Sequence, residues 1–163
     1  VECIEPLALQ RTAWHFERLR FQSDEIAIAS GKRPSVFLAN LGSPADFTAR
    51  ATFAKNFFEA GGIEAISGAG ITTAEQLTTE CSAANADFAI QCGTDEQYGQ
   101  DGPSMIRALK QCGMKRIYLA GKLIDDQSFL DEGLSETIYM GCDVVAVLER
   151  AYDTLSINSI GQE

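Results

Sequence analysis

With 163 residues, 45% of them apolar and 22% charged, the chain has the size of one domain and can bury a core without disulfide or metal staples. A formal net charge of −10 argues against a nucleic-acid partner, and no apolar run approaches the ~20 residues of a membrane span. Cys3, Cys81, Cys92, Cys112 and Cys142 form no C-x-x-C pair, which argues against a disulfide framework or a zinc site.

In chain order, Leu9, Ala13, Phe16 and Leu19 recur at three- and four-residue steps, which predicts a helix from Pro6 to Arg20. The polar stretch Gln22 to Glu25 and the turn-like Ser30-Gly31-Lys32-Arg33-Pro34 then separate this N-terminal arm (residues 1–34) from a body spanning residues 35–163. His15, between Trp14 and Phe16, reads as a packed helix residue. The near-continuous apolar run Val36 to Leu41 predicts a central parallel strand. Asp46 to Ala60 follows as a helix striped by Phe47, Ala51, Ala54 and Phe58 and closed by Gly61-Gly62. Ile63–Ile66 is a second strand, Thr73–Asn85 a helix and Asp87–Cys92 a third strand. Pro103–Cys112 is a helix opened by its proline, and Arg116–Ala120 a fourth strand. Ser128–Gly133 is a short helix, Thr137–Met140 a fifth strand and Asp143–Leu155 a last helix. Strands alternating with helices predict a flavodoxin-like (Rossmann-like), doubly wound parallel α/β sheet of order 2-1-3-4-5.

Ligands of such folds bind beyond the carboxyl ends of the strands, where strand order reverses. Here that means Gly42-Ser43-Pro44-Ala45-Asp46, Gly93-Thr94-Asp95-Glu96 and Gly121-Lys122-Leu123. Ser43 as N-cap, Pro44 as first helical residue and Asp46 as third account for the first loop without a ligand. Asp95, Glu96 and Asp101 lack the spacing of a calcium loop and read as a solvated turn. Gly68-Ala69-Gly70 lacks the third glycine of a dinucleotide fingerprint, and Lys122 reads as an exposed lysine. Cys92 and Cys112 read as small buried apolar residues, with nothing cationic beside them in sequence.

The phrases Arg33-Pro34-Ser35-Val36-Phe37-Leu38-Ala39-Asn40-Leu41-Gly42, Phe57-Phe58-Glu59-Ala60-Gly61-Gly62-Ile63-Glu64, Gly93-Thr94-Asp95-Glu96-Gln97-Tyr98 and Tyr118-Leu119-Ala120-Gly121 carry a family likeness. So does Phe16-Glu17-Arg18-Leu19-Arg20 in the leading helix. With these, the chain resembles the C-terminal, cobalamin-binding-like domain of the small (beta) subunit of bacterial methylmalonyl-CoA mutase, and the resemblance implies a fragment of a longer subunit. It also implies a heterodimer, an isomerase whose large (alpha) subunit binds adenosylcobalamin and interconverts methylmalonyl-CoA and succinyl-CoA; the cytoplasm is expected separately, because the start of the sequence, with Glu2, Cys3 and Glu5, does not resemble a signal peptide. The cobalamin-binding members use Asp-x-His-x-x-Gly after the first strand, Ser-x-Leu after the third and Gly-Gly after the fourth. Those positions fall here on Pro44, Asp46 and Ala49, on Thr94 and Glu96, and on Ala120 and Gly121. The cobalt-ligating imidazole is replaced by aspartate and its acidic partner by proline. The resemblance therefore implies a structural domain with no catalytic or cofactor-binding residue of its own, which supports the large subunit by packing against either the barrel or the partner domain, with the N-terminal helix and its Leu9, Trp14 and Phe16 as the expected contact. The alternative is a regulatory domain that holds a nucleotide or acyl-CoA in the vacated cleft. A signalling receiver would need an acidic pair in place of Gly42-Ser43 and a lysine near Met140-Gly141-Cys142, and a flavodoxin a richer phosphate loop than Ser43-Pro44-Ala45.

Overall fold

The computed structural model describes residues 13–160. Helix α1 (Trp14–Ser30) leads into strand β1 (Ser35–Asn40), helix α2 (Pro44–Ala60), β2 (Glu64–Ser67), α3 (Ala74–Ala84), β3 (Phe88–Cys92) and α4 (Asp95–Gln111). Strand β4 (Arg116–Ala120), α5 (Gln127–Glu132), β5 (Glu136–Ile138) and α6 (Val144–Ile160) complete it. All strand pairs are parallel, in the order β2-β1-β3-β4-β5 expected of a doubly wound sheet.

Alternation along the strands divides the core between two faces. Val36, Leu38, Phe88, Ile90, Tyr118 and Ile138 pack with Leu19 of α1, Phe58 of α2 and Leu148 of α6. Phe37, Ala39, Ala89, Ile117 and Leu119 meet Leu77 of α3, Ile106 of α4 and Phe129 of α5. Strands β1 and β3 are covered on both sides and buried at every residue, which is why they read as unbroken apolar runs. The borders differ: β2 is exposed at both its ends, and β5 is short and begins at Glu136, which receives Arg116 and Arg150.

Two helices depart from the sequence expectation. Helix α1 does not stop at Arg20 but runs through Gln22–Glu25 to Ser30, where Gly31 in the left-handed region ends it. Within the polar stretch Asp24 and Glu25 are exposed, while Ser23 is fully buried like Leu19 and its hydroxyl donates to the Gly62 carbonyl at 2.6 Å. The helix thus packs on the domain; the expected first turns and Leu9 lie outside the described residues. Helix α4 begins at Asp95 rather than at Pro103, so the supposed solvated turn is two helical turns. Thr94 and Gln97 form a capping box, a start signal that outranks the proline, which sits inside the helix. No helix among the described residues is long and apolar enough to cross a membrane.

Candidate functional site

The chain leaves β1 in one direction toward β2 and in the other toward β3, so the order reverses between the β1 and β3 carboxyl ends. There β1 ends at Asn40, Leu41 bridges to Ile71, and Gly42 takes φ +79°. The first turn of α2 closes on itself: the Asp46 carboxylate accepts the Ser43 backbone N–H at 2.9 Å and its hydroxyl at 2.8 Å. These two bonds, the backbone one first, hold the Asp46 carboxyl below its ordinary 3.8, and Gln97 of α4 adds a smaller share.

Gln97 is the residue that the sequence reading passed over. Its Oε1 accepts the Thr94 N–H at 2.9 Å, closing the N-terminus of α4. Its amide nitrogen lies over Gly42, in the space a side chain there would fill, and against Asp46. One glutamine thereby ties the start of α4 to the start of α2 across the crevice. Gly70 closes the other flank, because any Cβ on it would overlap the Gly42 carbonyl. A hollow of about 190 Å³ remains beside Leu41, Gly42, Gln97, Gln100, Asp101 and Met105.

A second tie crosses from β3 to β4. Tyr98, 1% exposed, accepts the Gly93 N–H at 2.9 Å, and its hydroxyl lies 2.8 Å from the Ala120 carbonyl and 3.1 Å from that of Gln91. Burial raises its phenol well above 10. Arg50 of α2 stacks 5.2 Å over the Tyr98 ring and donates to the Gly93 carbonyl at 2.6 Å and to Asp95 at 2.7 Å. Its guanidinium also occupies the approach to Gly121, at φ +137°. Sequence reasoning missed Arg50 because every partner lies more than forty positions downstream. Cys92 is fully buried as expected, and burial pushes its thiol up to about 12, although Arg50, distant in sequence, pulls the other way.

The structure therefore brings together Asp46, Thr94 and Gly121 through Gln97 and Arg50, and leaves the others apart. Pro44, Ala49 and Glu96 are exposed at helix starts, and Ala120 is fully buried. Asp101 is exposed on α4, Lys122 lies 5.4 Å over the Tyr139 ring and His15 meets Trp14 edge-on at 5.0 Å. Among the described residues no group of three or more His, Cys, Asp or Glu is placed to hold a metal ion.

No protein-family model matches the chain. It is 39% identical over 142 residues to the methylmalonyl-CoA mutase small subunit of Streptomyces virginiae, an alignment covering 87% of this chain and 22% of that subunit. The small subunit from Propionibacterium freudenreichii subsp. shermanii is 33% identical over 153 residues, covering 89% of this chain and 23% of the subunit. That of Porphyromonas gingivalis is 29% identical over 157 residues, covering 96% and 24%. The chain thus spans about a quarter or less of these relatives. Among solved structures, a novel cobalamin-binding protein from Desulfitobacterium hafniense DCB-2 superposes with a TM-score of 0.57 at 13% identity, covering 85% of this chain and 70% of that one. A response regulator from Thermotoga maritima gives 0.51 at 17% identity, covering 76% and 98%. These likenesses establish the fold alone.

Proposed function

Because the chain is related over most of its length to methylmalonyl-CoA mutase small subunits, we propose that it is a non-catalytic, structural domain of such a subunit. In this reading it supports the large subunit, which binds adenosylcobalamin and isomerises methylmalonyl-CoA and succinyl-CoA, and does not bind cobalamin itself. The observation that carries the reading is the closure of the crevice by Gln97 between Asp46 and Thr94.

The residues present do not fit the cofactor. Cobalt would need a neutral imidazole with an acceptor behind it. Asp46 offers a carboxylate already engaged by Ser43, and Pro44 offers no acceptor side chain. The polar Gln97 and the Arg50 guanidinium occupy the loops where an apolar pocket for a nucleotide tail would have to open. The second reading, a nucleotide or acyl-CoA in the crevice, is less well supported, since the remaining hollow is small and lined by Asp101 without a cation.

The surface offered to the partner is the outer side of α1. Phe16 packs on the core, but Trp14, Phe21 and Ile28 recur at seven-residue spacing, 44%, 61% and 86% exposed. Two measurements test the proposal together. Adenosylcobalamin titrated into the chain should leave the cofactor spectrum unchanged; saturable, stoichiometric binding below about 1 μM would overturn the cofactor claim. The full-length small subunit should copurify with the large one, and serine at Trp14, Phe21 and Ile28 should weaken that association; undiminished association refutes this docking face.

A further inference from the structure

The described cysteines divide between the two faces of the sheet. Cys92 and Cys142 belong to the α2-side core, and Cys81 and Cys112 to the core under α3, α4 and α5. The second pair comes from two neighbouring helices. Cys81 lies in α3, and Cys112 is the residue that caps the end of α4. The Cys112 Sγ is 4.0 Å from the Thr78 carbonyl oxygen of α3. Thr78 and Cys81 are three residues apart and share a helix face, and helical side chains lean back toward the N-terminus. The Cys81 sulfur therefore covers the turn that Cys112 touches. In keeping with that meeting, the Cys81 thiol is raised first by burial, then by the charge of Cys112 and by a hydrogen bond with it. Exposure separates the two: Cys81 is 0% exposed, and Cys112 is half-buried.

We propose that Cys81 and Cys112 form a reversible disulfide between α3 and α4 when the protein meets a hydroperoxide. Cys112 reacts first, because only its sulfur can be reached from solvent. Its thiolate attacks the outer peroxide oxygen, the O–O bond breaks, an alcohol or water leaves, and Cys112 becomes a neutral sulfenic acid. The charge that opposed ionisation of Cys81 is then gone. The Cys81 thiolate attacks the Cys112 Sγ, the S–S bond forms as the S–O bond breaks, and the departing hydroxide takes up the Cys81 proton as water. Two thiols and one hydroperoxide thus give a disulfide, an alcohol or water, and a water. The bridge closes the segment 81–112, which contains β3 and the Thr94, Gln97 and Tyr98 start of α4. It secures the helix that closes the crevice.

The test treats the reduced 163-residue chain with a small excess of hydrogen peroxide under native conditions. The intact mass is expected to fall by two hydrogens, and proteolysis without reductant to release one linked pair of peptides carrying Cys81 and Cys112. Dithiothreitol should reverse both changes. The linked chain should melt about 5–15 °C higher, as a closed loop of this length predicts. Cys112→Ser should abolish the link and the gain in Tm. Cys81→Ala should leave Cys112 to gain oxygen instead of losing hydrogen; if this buried variant fails to fold, the peptide map and Cys112→Ser decide alone. A sulfinic acid at Cys112 with no link, a link that forms only in urea, or a linked chain that melts no higher than the reduced one would overturn the proposal. Each of those results would leave the structural reading of the domain untouched.

Discussion

Replacing Tyr98 by phenylalanine removes one oxygen and keeps the ring on which Arg50 stacks, so it isolates the hydroxyl. That hydroxyl serves the Gly93 N–H and the Ala120 carbonyl at the ends of neighbouring strands, in a side chain 1% exposed. After the change both backbone groups are buried without that partner. Each such orphan costs about 1–3 kcal/mol, and the phenol no longer needs desolvating, so a net loss of about 2–4 kcal/mol is expected. For a domain of this size that corresponds to a Tm lower by about 5–12 °C. Urea and thermal unfolding followed by circular dichroism measure it directly. A loss smaller than about 0.5 kcal/mol would refute the assignment of Tyr98 as the tie between β3 and β4.

Four further outcomes follow. Asp46→His alone should leave the absorption spectrum of added cobalamin unchanged, because Pro44 cannot orient the ring and Gln97 still lies over Gly42; a base-on-to-histidine spectral change would contradict this. Gly70→Ala should destabilise by about 1–3 kcal/mol in urea unfolding, since its Cβ meets the Gly42 backbone carbonyl rather than a side chain that can swing away. Cys92 has its thiol raised from 9.0 to about 12, so its contribution is fully present below pH 9.0 and is lost as pH rises from there through 12. Unfolding free energy should fall by up to about 1.4 kcal/mol per pH unit over that window from this group, and Cys92→Ala should flatten the decline. At neutral pH, thiol reagents should label the half-buried Cys112 and Cys142 well before Cys92 and Cys81.

The sheet was legible because its central strands are covered on both faces and so are written as continuous apolar runs, β1 above all. The start of α2 was legible for a local reason: Ser43, Pro44 and Asp46 lie within four residues, and each does its capping work without help from elsewhere. The extent of α1 was not, because the burial of Ser23 depends on the carbonyl of Gly62, thirty-nine residues away. Pro103 misled for the opposite reason. It is a strong local signal, but Thr94 and Gln97 had already begun the helix, and that threonine–glutamine box was present to be read. Arg50 and Gln97 close the candidate site through contacts between loops that only the crossover topology brings together. Their residue types alone did not announce this.

The borders of the sheet bear on a different matter, the behaviour of many copies at high concentration. An open strand edge is a template on which another chain can add a strand, and repeated addition makes fibres. Here one border is β2, Glu64–Ser67, exposed at both ends and carrying a carboxylate at its start. The other is β5, Glu136–Ile138, with Arg116 and Arg150 gathered on its first residue. Two copies meeting edge to edge would gain few ladder bonds and would have to accommodate those charges. Hydrogen bonding along the strands therefore gives the domain little tendency to polymerise.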